Sequence, residues 1–456
     1  MTISVLPDDA LLEIFKFYVD QSYREDAWHT LVHVCRKWRY LVFGSPRWLH
    51  LKLRCTNRSP VKKMLDVWPR LPIFVDASFT DPFLSNVIAA LEEHDRVRRI
   101  NIQGITYSQL KNCAVLEKPF PELTDLMLIS YKHDMPLISA SFLGGFTPRL
   151  QSLELAGVQF PALGKLLLSA TGLVTLHLTN IPNLEDILPD AMATYLSALT
   201  RLQKLFLYFQ FPQSEDDREN RSLSLLARRF VVPSLTQFDF QGGSEYLGNL
   251  VGRIDTPVLD KFTIYFHQLS FNTPLLQDFF GRTNAFQALN RAVILIHPMY
   301  IHLALVQRKG MADHRTLDVH ISCSSPDKQV LSLARFCSAS LPRLPTLEHL
   351  GIHELTTLGP NWTDDDMENA PWLELLRSFA TVKDLALSDF MVRSVVPALQ
   401  ELTGESVTEV LPALRHILVR GLDPSGPTQE AIAQFVTARQ LSGHPVAVRA
   451  LEIERS

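Results

Sequence analysis

Few side chains in this sequence stand at spacings that chemistry requires. His29 and His33 lie at i, i+4, where two imidazoles on one helix face can ligate zinc. A third ligand is needed, and only Cys35 is near. It falls in an apolar helical pattern and is expected in a core, so no metal is expected. Thr363-Asp364-Asp365-Asp366 gathers three carboxylates as a calcium loop does, but the turn glycine and the closing glutamate are missing. A threonine followed by acids reads instead as a helix N-cap. No G-x-G-x-x-G, Walker A loop, G-x-S-x-G or H-E-x-x-H occurs, so no catalytic set and no cofactor are expected. The charged run at residues 214–221 reads as a solvated insertion.

What remains is recognition chemistry. Lys204, Phe206 and Tyr208, then Gln237, Asp239 and Gln241, then Lys261, Thr263 and Tyr265 alternate with apolar residues in three successive segments. Exposed aromatics with mixed charge suit a protein-binding surface, since aromatic residues are enriched at interface hot spots. Lys204, Phe206, Tyr208, Asp239, Lys261 and Tyr265 are therefore the expected cargo-binding set.

These residues must be positioned by the elements that carry them, and those elements repeat. A spacing φ-x-x-φ-x-φ, often just after proline, begins at Val97, Leu123, Leu150, Leu173, Leu202, Leu235, Leu259, Leu347, Val382, Leu414 and Val448. A period of roughly 20–35 residues means a stack of coils. The last two apolar positions alternate as on a short inward-facing strand, and the first sits on the turn before it. The stretches at 83–94 and 371–379 have helical patterns that would close their coils. Each strand should pair with the next, giving parallel strands on a concave face and helices outside. Between Leu259 and Leu347, the segments at Leu289 and Leu317 read as two irregular copies about 30 residues apart. The pattern resembles leucine-rich repeats without their regular asparagine, which implies an α/β fold.

Composition sets the class. The chain is 46% hydrophobic with a net charge of -4, so it folds and carries no basic field for nucleic acid or anionic membrane. Five cysteines with no C-x-x-C pair point to a reducing compartment, cytoplasmic or nuclear. The opening residues lack the basic and apolar regions of a signal peptide, and no window suits a membrane span.

The N-terminus has its own pattern. Leu6-Pro7-Asp8-Asp9 starts a helix, with proline in the first turn and acids at the positive end. Leu11, Ile14, Phe15 and Tyr18 follow at helical spacing. A second helix carries Trp28, Leu31, Val32, Cys35 and Trp38 on one face and Ala27, Val34 and Leu41 on another, and Gly44-Ser45-Pro46 ends it. Two apolar faces on one helix call for two packing surfaces. Leu6-Pro7, Ile14-Phe15, Val34-Cys35-Arg36-Lys37-Trp38 and Ser45-Pro46-Arg47-Trp48 stand in the order of an F-box, which this segment resembles. The linker at 20–27 is longer than in compact F-boxes, and Arg47 replaces the usual leucine.

The resemblance implies a helical F-box over residues 1–48, a junction with the first irregular repeats over 49–92 and a repeat region over 93–456, as in many fungal proteins. It implies a substrate-recognition subunit of a ubiquitin ligase with no catalysis of its own. Leu6, Pro7, Leu11, Ile14, Val34 and Leu41 would contact a Skp-type adaptor and through it a cullin. Cys35 and Trp38 would be internal core, and the repeats would hold an unknown protein substrate. The alternative is a repeat-based scaffold with no link to ubiquitination.

Overall fold

The computed structural model describes residues 6–21, 27–44, 50–67, 70–78, 84–131, 135–181, 188–209, 229–267, 274–309, 312–323, 325–341, 344–355, 369–402, 406–419 and 427–450. The runs at 214–221 and 363–366, and Trp48 and Leu49, lie outside them. The chain forms two compact units. One comprises Met1–Ala191 with Ala198–Leu202, and the other Met192–Ser197 with Gln203–Ser456.

The first unit opens with three helices. Helix α1 (Asp8–Gln21) follows Pro7, whose carbonyl accepts the Leu11 amide at 3.1 Å. Leu11 and Phe15 are buried along one face. The second helical pattern is two helices, α2 (Ala27–Val34) and α3 (Arg36–Gly44), broken at Cys35. Arg39 supplies the break by donating from Nε to the Val32 carbonyl at 2.9 Å, which occupies an acceptor at the end of α2. Cys35 is consequently exposed, not core, and its Sγ accepts the Trp38 amide at 3.5 Å. The core between the helices is Leu11, Phe15, Trp28, Leu31, Val32, Leu41 and Val42. Trp38 is only half-buried, its ring 4.7 Å from that of Phe15.

The rest of this unit is a run of parallel strands. They are β1 (Leu51–Arg54), β2 (Ile73–Ser78), β3 (Val97–Gln103), β4 (Asp125–Ile129), β5 (Ser152–Ala156) and β6 (Thr175–Thr179), each pairing with the next. Helices α4 (Val61–Val67), α5 (Leu84–Glu92), α6 (Tyr107–Asn112) and α7 (Leu163–Ser169) lie in the connections, and α8 (Pro189–Ala198) follows β6.

The repeat spacing has a local cause visible in both units. The first apolar residue of each copy closes a turn: the amides of Leu150, Leu173, Leu259, Val382 and Leu414 bond carbonyls three residues back, at 3.0–3.3 Å. The next residue's amide reaches the preceding coil, as Gln151 does to Thr124 at 2.7 Å and Arg415 to Lys383 at 2.7 Å. The strand's two apolar residues then point inward, and Leu153, Leu155, Leu385 and Leu387 are fully buried. Gly157, at φ 62°, ends β5, because a Cβ there would stand 2.5 Å from the Ser130 carbonyl oxygen.

The second unit begins with β7 (Lys204–Tyr208), β9 (Gln237–Gln241) and β11 (Lys261–Phe266), paired in parallel. Two-residue strands β8 (Phe230–Val231) and β10 (Ile254–Asp255) pair separately. Beneath β9 and β11, phenylalanine replaces leucine. Phe238 stacks on Phe262 at 4.9 Å, and Phe279, Phe280 and Phe286 of helices α10 (Pro274–Arg282) and α11 (Asn284–Gln287) surround Phe262. Helix α9 (Ser244–Arg253) joins β9 to β10.

The region between Leu259 and Leu347 departs from the expected two successive copies. β12 (Arg291–His297), β13 (Tyr300–Lys309) and β14 (Ala312–Ser322) form an antiparallel meander. It folds back so that β14, the last in sequence, lies parallel to β11, while β12 lies parallel to β15 (His349–Glu354). The sheet here is therefore mixed. A two-residue turn at Pro298-Met299 reverses the chain where a helical crossover was expected, and only antiparallel strands can be joined so tightly. Parallel order resumes with β16 (Asp384–Leu387), β17 (His416–Val419) and β18 (Ala447–Ala450). Helices α12 (Pro326–Ser340), α13 (Asn369–Arg377), α14 (Asp389–Gln400), α15 (Ser406–Glu409) and α16 (Pro427–Leu441) connect them. Each unit is thus a leucine-rich-repeat-like stack of coils.

Candidate recognition face

Strand alternation divides the side chains of β7, β9 and β11. Leu205, Leu207, Phe238, Phe240, Phe262 and Ile264 face the core. The alternate residues share the opposite face in register. Phe206, Asp239 and Thr263 form one row across the sheet, and Tyr208, Gln241 and Tyr265 form the next. The structure therefore brings four of the six expected cargo residues into two neighbouring rows, with Lys204 and Lys261 aligned on Gln237 in a third.

The rings touch. Phe206 and Tyr208 lie 6.5 Å apart, and Tyr208 and Tyr265 lie 6.3 Å apart at 88°. Their strands flank β9, so the two tyrosines lean over it from either side. Asp239 belongs to the floor and is only 7% exposed, against the expectation of an open position. Gln237 Nε2 lies 3.3 Å from both of its carboxylate oxygens. Burial holds the Asp239 pKa above its ordinary value, opposed by the Gln237 hydrogen bond and the Lys261 charge. Burial, with the Asp239 charge and Tyr265, pushes the Tyr208 hydroxyl up to about 12. Tyr265 is raised by burial first and by Asp239 and Asp318 after it.

The meander extends this surface. His320 of β14 stacks on Tyr265 at 4.6 Å and on His302 of β13 at 4.0 Å, and His302 Nε2 lies 3.0 Å from Asp318 Oδ1. Tyr300 stands 6.0 Å from His320 and 4.4 Å from His297. Burial lowers the His320 pKa to about 4, helped by His302 and opposed by Asp318. Residues Asp318, His320, His302 and Tyr300 were not among the expected set. The alternation Thr316, Asp318, His320 inside the Leu317 copy carried the signal for two of them. The other two sit on β13, which lacks the repeat spacing. Farther along the same unit, Asp384 accepts from His349 Nδ1 and His416 Nδ1, each at 2.7 Å.

In the N-terminal helices the six expected adaptor residues separate. Leu11 and Leu41 are buried and serve the internal core, which removes them from any contact surface. Leu6 is half-buried and Pro7 exposed, while Ile14 and Val34 are 43% and 55% exposed. Phe17 and Tyr18 are exposed on α1 with Ile14, at 67% and 42%, and Tyr40 is exposed on α3 at 79%. Ile14, Phe17 and Tyr18 fall at i, i+3 and i+4, so they share one helix face. Lys37 ties the start of α1 to α3 through Asp8 at 3.1 Å and the Leu6 carbonyl at 3.4 Å. Of the histidine pair, His33 is exposed, and the side chain of His29 lies outside the described residues. Among the described residues, no three His, Cys, Asp or Glu side chains converge as a metal site, and no helix is long and apolar enough to cross a membrane.

No family model matches the chain, and no curated protein matches it. Among solved structures, the leucine-rich repeat-containing protein LegL7 from Legionella pneumophila is similar over 87% of this chain and 98% of its own, at 14% identity and a TM-score of 0.27. A likeness of that strength carries no argument, and the repeat architecture rests on the strand registers above.

Proposed function

We propose that the chain is the substrate-recognition subunit of a Skp–cullin–F-box ubiquitin ligase, working in the cytoplasm or nucleus and performing no catalysis itself. In this reading the N-terminal helices dock on a Skp-type adaptor, and the open face of β7, β9 and β11 holds a protein substrate. The observation that carries it is the N-terminal surface. Ile14, Phe17 and Tyr18 expose an apolar face of α1, and Val34 and Tyr40 are exposed on α2 and α3, outside the buried core of Leu11, Phe15, Trp28, Leu31, Val32, Leu41 and Val42. Exposed apolar side chains of this size suit an interaction site. Leu6, Pro7, Ile14 and Val34 are the adaptor contacts of the expected set that remain available. Free thiols at all five cysteines fit a reducing compartment.

The test is direct binding of the purified chain to a Skp-type adaptor by calorimetry. A 1:1 complex with micromolar or tighter affinity supports the reading, and no heat at micromolar concentrations removes it. The second reading, favoured by the ordered aromatic face alone, is a repeat-based interaction scaffold with no tie to ubiquitination. It expects a partner on the β7–β11 face and indifference to the adaptor.

A further inference from the structure

The strand registers of the second unit set one row of side chains at the start of the open face. Lys204 of β7 and Lys261 of β11 both align on Gln237 of β9. Lys261 aligns on Thr316 of β14, Thr316 on Val306 of β13, and Val306 on Arg291 of β12. Arg291 aligns on His349 of β15, and the row continues to Asp384 and His416. Alternation sets these residues opposite the buried Leu205, Phe262, Ala292 and Leu350.

The charges on this face are unevenly matched. The carboxylates of β9, β14 and β16 are each engaged. Asp239 is held by Gln237 Nε2 at 3.3 Å and by the Lys261 charge. Asp318 is held by His302 at 3.0 Å, and Asp384 by His349 and His416, both at 2.7 Å. Glu348, on the turn before β15, is committed to Lys383 at 2.5 Å. The cations of the row have no such partners. Among the described residues, none of Lys204, Lys261 and Arg291 makes an ion pair within 4.0 Å. Lys204 and Lys261 are exposed, and water solvates them. Arg291 is half-buried, and a guanidinium partly withdrawn from water gains from a carboxylate brought to it.

The arrangement also selects the shape of the partner. Five strand steps of about 4.8 Å carry the row roughly 24 Å from Lys204 to Arg291, the length of about seven extended residues. Cations strung across the strands match a chain lying along the stack, and a single small anion reaches only one of them. We infer that this row binds an extended acidic segment, rich in aspartate or glutamate, of the protein that the face recognises, with Arg291 as its anchoring residue. The inference rests on the reading of the open face as the substrate site and adds the chemical class of the segment held there.

The test is fluorescence anisotropy of the full chain with fluorescein-labelled peptides of about ten residues, long enough to span the row. Peptides of glutamate, of alternating serine and glycine, and of lysine are compared. The glutamate peptide should bind saturably, at least about tenfold tighter than the other two, and lose affinity as sodium chloride is raised. Lys204→Gln, Lys261→Gln and Arg291→Gln should each weaken it by about two- to fivefold, and the triple variant should leave no saturable binding. Lys62→Gln, at an exposed lysine of α4 in the first unit, should change nothing. Near-ultraviolet circular dichroism of the row variants should match the wild type. The peptide and salt comparisons need only the wild type, so they decide the matter even where a variant does not fold. Equal binding of the serine–glycine peptide, indifference to salt, full affinity in the triple variant, or an equal loss in Lys62→Gln would overturn the inference.

Calorimetry with the adaptor on the same preparation separates this inference from the ligase reading. Glutamate-peptide binding without adaptor binding removes the ligase reading and keeps the acidic-segment row. Adaptor binding without preference for the glutamate peptide does the reverse.

Discussion

The N-terminal helices divide residues into core and surface so sharply that two substitutions should separate folding from docking. Trp28 is 1% exposed, with its ring 6.5 Å from Phe43, and removing it empties the centre of a small three-helix module. Trp→Ala in a core costs about 3–5 kcal/mol. Ile14 is 43% exposed on α1, so Ile14→Asp removes little packing and should cost no more than about 0.5 kcal/mol. If Ile14 is a contact residue, placing a carboxylate in an apolar interface should weaken adaptor binding by at least tenfold, the level of a hot spot at about 1.4 kcal/mol. Urea titration followed by far-ultraviolet circular dichroism measures the first quantity, and calorimetry with the purified adaptor measures the second. Trp28→Ala should melt the helices early and lose binding with them. Ile14→Asp should keep the wild-type midpoint and lose binding. Equal midpoints in the two variants, or full adaptor affinity in folded Ile14→Asp, would refute the division.

Three further outcomes follow from the second unit. Arg439 is fully buried and donates from Nη1 to the Val407 carbonyl at 2.9 Å and from Nη2 to Leu411 and Leu414 at 3.3 and 3.4 Å, so Arg439→Met should cost roughly 3 kcal/mol by orphaning carbonyls; a calorimetric melt unchanged within error would contradict this. Phe262→Ala should destabilise the same unit by about 3–5 kcal/mol, read as an earlier urea midpoint, because Phe238, Phe279, Phe280 and Phe286 cannot all close on the gap; a midpoint within error of wild type would show that they can. His320 titrates about 4 in the folded chain against 6.5 as its ordinary value, so the unfolded state binds the extra proton. Its contribution is complete above pH 6.5 and fades as pH falls toward 4, by roughly 1–2 kcal/mol after screening of a partly exposed ring. His320→Gln should flatten the fall in urea midpoint over that window, and identical slopes would exclude it.

Much of this molecule is legible in one dimension because a coil's hydrogen bonds and apolar contacts are nearly local. The φ-x-x-φ-x-φ spacing marks a turn whose amide bonds three residues back and a strand with two inward side chains. At nine of the eleven copies, Leu123 through Leu259 and Leu347 through Leu414, a strand starts two residues later, while β3 begins at Val97 itself and β18 one residue before Val448. Alternation then assigns Lys204, Phe206, Tyr208, Lys261 and Tyr265 to one face without reference to anything distant. Tertiary structure decided what depends on partners far along the chain. Cys35 was expected in a core from its helical phase, but Arg39 takes the Val32 carbonyl and turns the helix at that point. Leu11 and Leu41 share the apolar pattern of Ile14 and Val34, and only the packing of three helices chose which pair to bury. The meander is the clearest case. Strand order there is set by pairing between residues that the sequence separates, Lys261 with Thr316 and Arg291 with His349, so the Leu289 and Leu317 copies exchange their expected places. That exchange brings His320 onto Tyr265 and completes an aromatic surface that no local spacing encodes, because ring stacking across strands depends on register, and register is a property of the folded sheet.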